Sequence, residues 1–206
     1  MCPDLPRRRS VRLPYYDYSS YGWYYITICC SKFKHLFGTI ESGQLRPSVL
    51  GETVATELER SVELRKELHL DTFVIMSNHL HIVVVIDPLQ SVDQLRNTVD
   101  ESGRMVLLRA PLGGQAQSVS SFVGGLKASV TSAARQLTGN PDFAVWNRGF
   151  HEHVARTEPA LNAIRNYIVN NPKQWELDRY NESRKQGRCA DDDLDLLLSA
   201  DQPPPE

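Results

Sequence analysis

A chain of 206 residues that is 41% hydrophobic holds enough apolar material for one domain with its own core, and too little for two large ones. It has no run near the roughly 20 apolar residues of a membrane-spanning helix, no apolar stretch behind Arg7-Arg8-Arg9 to make a signal peptide, and no CxxC spacing among Cys2, Cys29, Cys30 and Cys189, so a cytoplasmic protein without a membrane partner is expected. The net charge of −2 is unevenly spread: residues 187–206 hold six acidic side chains and one arginine, a net −5, which leaves residues 1–186 at +3, a balance that permits nucleic-acid binding.

Residues 1–22 form a basic and aromatic arm without helical or strand period. Its Arg7, Arg8, Arg9 and Arg12 can contact phosphates while its tyrosines stack on unpaired bases, or the arm is simply solvated. A domain over residues 23–180 follows. Trp23 to Cys30 is rich in aromatic and β-branched residues and predicts the first core strand. Ser48 then caps a helix with Leu50, Val54, Leu58 and Val62 on one face, expected to end near His69. The apolar runs at 73–76 and 82–86 flank Ser77-Asn78 and predict an antiparallel hairpin. Residues 87–117 lose any period and read as an insertion.

Periodicity returns at Ser118, where Phe122, Leu126, Val130, Ala134 and Leu137 make the buried stripe of a second long helix. Lys127, Thr131 and Arg135 form its polar edge, with Lys127 and Arg135 as candidate DNA contacts. A short strand around His153-Val154-Ala155 precedes a third helix, capped by Thr157 and ended by Pro172. Residues 181–206, acidic and proline-containing, are expected to be disordered. The order strand, helix, strand, strand, helix, strand is that of an α+β, ferredoxin-like (split βαβ) sandwich: an antiparallel sheet with helices on one face, the other face open for a site.

The tripeptide His79-Leu80-His81 lies within a strand, so its two imidazoles point to one side and Leu80 to the other. Two neutral imidazoles so placed can ligate a divalent cation if a third group arrives from elsewhere. On the third helix Tyr167 and Asn171 stand four residues apart and share a face. If that helix crosses the open face of the sheet, Asn171, or failing it Asn170, can offer a carbonyl oxygen to the metal, with the Tyr167 phenol beside it. The blander roles are a hydrogen-bonded histidine pair, a half-buried packing tyrosine beside Leu161, Ile164 and Ile168, and an asparagine that caps a helix. A second HxH, His151-Glu152-His153, raises the alternative of a four-histidine metalloenzyme acting on small molecules.

The stretches Arg8-Arg9-Ser10-Val11-Arg12-Leu13, Tyr25-Ile26-Thr27-Ile28-Cys29, Phe37-Gly38, Ile75-Met76-Ser77-Asn78-His79-Leu80-His81, Gly125-Leu126-Lys127, Val145-Trp146, Glu152-His153 and Tyr167-Ile168-Val169-Asn170-Asn171-Pro172 occur in the order seen in single-tyrosine HUH transposases. The chain resembles especially the REP-associated tyrosine transposases, from about Arg8 to Trp175. The resemblance implies that His79 and His81 are metal ligands, that Asn171 is the third ligand, and that Tyr167 is the nucleophile. It further implies a site-specific endonuclease and strand transferase that cuts single-stranded or hairpin DNA with Mg²⁺ or Mn²⁺, as a monomer or homodimer, leaving a 5′-phosphotyrosine and a free 3′-hydroxyl. Ser77 stands where proline is common in that family, and residues 87–117 have no counterpart. A domesticated, catalytically inactive hairpin-binding protein is the alternative.

Overall fold

The computed structural model describes residues 16–87 and 117–181 together with Leu194 and Leu198. Arg7, Arg8, Arg9 and Arg12, nearly all of the insertion and most of the acidic tail therefore lie outside the described residues. Four strands, β1 (Gly22–Cys29), β4 (Leu68–Ile75), β5 (His79–Ile86) and β6 (His151–Ala155), form one sheet in the order β4-β5-β1-β6, with every neighbouring pair antiparallel. A separate hairpin of β2 (Gly38–Glu41) and β3 (Gln44–Pro47) was not expected from the sequence. Its signal is the Ser42-Gly43 dipeptide, whose positive φ values of 51° and 73° suit a two-residue turn.

The central strands read as nearly continuous apolar runs because both of their faces are covered. Leu80, Ile82, Val84 and Ile86 of β5 join Tyr24, Ile26 and Ile28 of β1 in a core with helices α1 (Val49–Glu63) and α2 (Val119–Thr138), through Val54, Leu58, Phe122, Leu126 and Val130. Val83 and Tyr25 point the other way and pack with Leu161, Ile164 and Ile168 of α3 (Glu158–Asn170). The α+β class and the antiparallel sheet are as the sequence predicts. Helices α1 and α2 take one face, and α3 crosses the face left open.

Local signals position these elements. Ser48 accepts the Gly51 N–H at 3.1 Å, Ser118 and Ser121 close a capping box, and Thr157 accepts the Ala160 N–H. Helix α1 ends at Glu63 rather than near His69, because Leu68 and His69 are captured by the sheet opposite Ile86 and Val85. At its far end α3 passes into a 3₁₀ segment, Asn171–Leu177, in which Pro172 forfeits the hydrogen bond an α-helix would need. Among the described residues no helix is long and apolar enough to cross a membrane.

Candidate active site

The open face of β5 presents His79 and His81 side by side, with their Nε2 atoms 3.0 Å apart and both rings buried. The tautomer of His79 follows from its neighbour. Asn78 Nδ2 donates to two backbone carbonyls, Phe33 O at 3.1 Å and Tyr180 O at 2.8 Å, and a carbonyl can only accept. Asn78 Oδ1 therefore faces His79 Nδ1, 2.8 Å away, and that nitrogen must carry the proton, which leaves the Nε2 lone pair facing His81. Burial, reinforced by the neighbouring His81 and His35, holds the His79 pKa well below its ordinary value, so the ring is neutral at physiological pH. His81 is held from its other side, where Tyr25 Oη and Thr27 Oγ1 each lie 2.9 Å from Nδ1. Two fixed imidazoles with converging nitrogens, that of His79 neutral, are the kind of donor set a cation requires.

A carboxylate completes the group. Asp178, just beyond the 3₁₀ segment, has Oδ1 held by the Tyr180 N–H at 2.7 Å, while Oδ2 lies 3.7 Å from His79 Nε2. His79, His81 and Asp178 are all buried, and their ligand atoms lie within 4.8 Å of one another, so the three residues fit a divalent metal. Nothing in the sequence singles out Asp178, one carboxylate among 25 acidic residues.

Helix α3 delivers Tyr167 to the same place. Its hydroxyl is 3.3 Å from His81 Nε2, and its buried ring meets His81 edge-on with centroids 5.2 Å apart. Asn171, expected as a ligand, is also buried, and its Oδ1 has no hydrogen-bond partner among the described residues. An acceptor left in that condition costs about 1–3 kcal/mol unless something binds it. Asn170 instead turns its amide back to Asn166 O.

The second HxH divides across the sheet. His151 and His153 pair opposite Thr27 and Tyr25 and so share the site face, whereas Glu152 pairs opposite Ile26 and faces the α1–α2 layer. His151 lines a cavity of about 30 Å³ against His81, with Thr27, Tyr180 and Leu194 among its other walls. Among the described residues neither His151 nor His153 joins the group of His79, His81 and Asp178. Leu194 and Leu198, within the acidic tail, are helical and buried against the cluster containing Tyr25 and Tyr167.

The two cations expected to touch DNA from α2 are both engaged by the backbone. Lys127 Nζ donates to Asn147 O at 3.1 Å and to Gly149 O, and Arg135 Nε donates to Phe143 O at 3.5 Å. Both still border an open groove on the outer side of α2 with Thr131, Ser132 and Gln136.

No family model matches the sequence. In the solved structure of a REP-associated tyrosine transposase bound to a REP hairpin the fold is similar, with a TM-score of 0.51 and 15% sequence identity over 81% of this chain and 74% of that one. An uncharacterized protein of Haemophilus influenzae is 37% identical over 175 residues, which span 85% of this chain and 93% of the relative. At that identity over nearly the whole relative, the chain belongs to the same family as the Haemophilus influenzae protein.

Proposed function

We propose that this protein is a metal-dependent, site-specific single-strand DNA transesterase of the tyrosine transposase kind, acting through Tyr167. The observation that carries the reading is the meeting of the Tyr167 phenol with two fixed imidazoles and a buried carboxylate on one face of the sheet. The similar fold of a transposase bound to a REP hairpin supports single-stranded or hairpin DNA as the substrate. His79 and His81 would hold a divalent cation, Mg²⁺ or Mn²⁺, with Asn171 and Asp178 as further oxygen donors, the mixture such ions accept. A cation bound there would supply positive charge to stabilise the negative charge that builds on the phosphate in the transition state.

The Tyr167 oxygen forms a bond to phosphorus while the bond from phosphorus to the 3′ oxygen breaks. The phenolic proton leaves to water and the departing 3′ oxygen takes one from it. The products are a 5′-phosphotyrosine on one side of the cut and a free 3′-hydroxyl on the other, and the retained ester can be rejoined without ATP. Outside the described residues, Arg7, Arg8, Arg9 and Arg12 contribute phosphate contacts to the same strand.

The test is an SDS-stable adduct assay on 3′-labelled oligonucleotides, including palindromes from beside the gene, with Mn²⁺ or EDTA. Wild type should form a metal-dependent adduct that Tyr167→Phe lacks while still binding the oligonucleotide. An adduct that survives in Tyr167→Phe overturns the nucleophile, and binding without any adduct points to an inactive hairpin binder. Calorimetric titration with Mn²⁺ should show binding lost in His81→Ala and weakened in both Asn171→Ala and Asp178→Asn; a variant that binds as wild type is struck from the ligand set. Trimming residues 1–12 should flatten the salt dependence of DNA binding.

A further inference from the structure

Phe33 sits in an unusual position for a phenylalanine. It is 38% exposed, and both it and Lys32 adopt left-handed backbone conformations, with φ of 53° and 55°. Residues other than glycine hold that conformation only where the surroundings enforce it, and such positions concentrate at functional sites. Here the enforcement is visible. The Lys32 N–H donates to Asn147 Oδ1 at 3.1 Å, the Phe33 N–H donates to Cys30 O at 3.0 Å, and Phe33 O accepts from Asn78 Nδ2. The same Asn78 side chain also holds Tyr180 O and the proton of His79 Nδ1. One amide thus ties His79 to the backbone of both Phe33 and Tyr180.

Those aromatics form a surface. The rings of Phe33 and Tyr180 are nearly parallel, 18° apart in orientation with centroids 5.8 Å apart, and Tyr180 in turn lies 4.6 Å from the His79 ring. Phe33 and Tyr180 both line a cleft of about 550 Å³, together with Thr27, Cys29, Arg148 and Phe150. The cleft shares Thr27, His151 and Tyr180 with the small cavity against His81. The segment that carries Arg148 is braced, because Lys127 holds the carbonyls of Asn147 and Gly149 on either side of it.

A flat aromatic face, an exposed arginine lining the same cleft and continuity with the proposed phosphodiester-cutting centre match the chemistry of an unpaired nucleotide, whose base stacks and whose phosphate pairs with arginine. We infer that Phe33, backed by Tyr180, is a stacking platform for an unpaired base of the strand that Tyr167 attacks, and that Arg148 holds a phosphate next to that base. This inference rests on the transesterase reading above.

The platform is tested with an oligonucleotide that wild type converts to adduct, each unpaired nucleotide being replaced in turn by an abasic site. Wild-type binding should weaken about tenfold or more at one unpaired position. Phe33→Ala should bind the intact oligonucleotide about as weakly and be indifferent to the abasic site at that position, and Phe33→Trp should restore both affinity and sensitivity. Phe33→Leu, which keeps the apolar bulk without the ring, should behave as Phe33→Ala and guards against misfolding of the smaller variant. A 2-aminopurine at the sensitive position should be quenched by wild type and not by either truncation. If Phe33→Ala and Phe33→Leu respond to the abasic scan as wild type does, the platform is overturned while the transesterase stands. Absence of both binding and adduct in wild type overturns the two together.

Discussion

Arg165 grips Asp71 with two guanidinium nitrogens, Nε to Oδ1 at 2.8 Å and Nη2 to Oδ2, two residues before Tyr167 on the same helix. Asp71 is the extra residue of a bulge in β4, lying between Leu70 opposite Val84 and Thr72 opposite Val83. A bulge re-aims side chains out of the regular alternation, and here it turns a carboxylate toward α3. The hydrogen bond to Asp71 raises the pKa of the guanidinium further. The pair fixes the position of α3 against β4 and so the approach of Tyr167 to His81.

Asp71→Asn should therefore cost only about 1 kcal/mol of stability, since the arginine is partly exposed and screened by solvent. Its effect on adduct formation should be larger, on the order of tenfold in rate, because misplacing a nucleophile is expensive. Thermal denaturation alongside single-turnover adduct kinetics measures both. A rate unchanged from wild type would show that α3 is held by its apolar packing alone.

Gly51 lies where α1 meets the loop after β1, and a Cβ there would stand 2.1 Å from Phe37 O. Neither partner can yield, one being helix and the other a carbonyl that accepts the Ser48 N–H. Gly51→Ala should destabilise the fold by about 3 kcal/mol in urea titration even though alanine favours helix. A neutral or stabilising result would mean that the loop moves freely.

Lys127→Met should cost about 1–3 kcal/mol, because it abandons the carbonyls of Asn147 and Gly149. Burial already lowers the pKa of this amine, which fits a cation serving the interior. The slope of log binding constant against log salt should then barely change in DNA titrations. A slope reduced by about one unit would instead make Lys127 a phosphate contact, as its place on the basic edge of α2 first suggests.

Cys29 lines the cleft, yet burial pushes its thiol up to about 11, outweighing a hydrogen bond from the Tyr180 side chain and the nearby Lys127 charge, both of which favour the thiolate. The folded-state pKa is raised, so the fold favours the neutral thiol fully below about pH 9, and that contribution is lost as pH climbs toward 11. At pH 8 its alkylation by iodoacetamide, followed by peptide mass spectrometry, should run on the order of a hundredfold slower than for an ordinary thiol. Rapid modification at pH 8 would place a thiolate in the cleft.

Much of this architecture is legible in the residues themselves. The alternation through His79-Leu80-His81 assigns two imidazoles to one face, and Ser48, Ser118 and Thr157 mark three helix starts because capping acts within one turn. Tyr167 and Asn171 share a side of α3 by simple helical spacing, although Asn171 begins the 3₁₀ segment. The helical period alone carries α1 on toward His69, several residues past its end at Glu63, since such a period continues in the sequence until a strand pairing elsewhere claims the chain. Asp178 carries no signal at all and joins the histidines from beyond α3, while Asn78 is marked by its place before His79 but not as the group that sets a tautomer through backbone carbonyls distant in sequence.

Sequence alone determined which residues share a face, where helices begin and that two histidines lie together, because those properties depend on periods of two and 3.6 residues and on neighbours within a turn. Only the tertiary structure decided that α3 crosses the open face, that Tyr167 meets a histidine 86 residues away and that Asp178 closes the group. Such meetings follow from burying Leu161, Ile164 and Ile168 against Tyr25 and Val83. Hydrophobic burial has no direction of its own, and no local pattern records which surface will cover which.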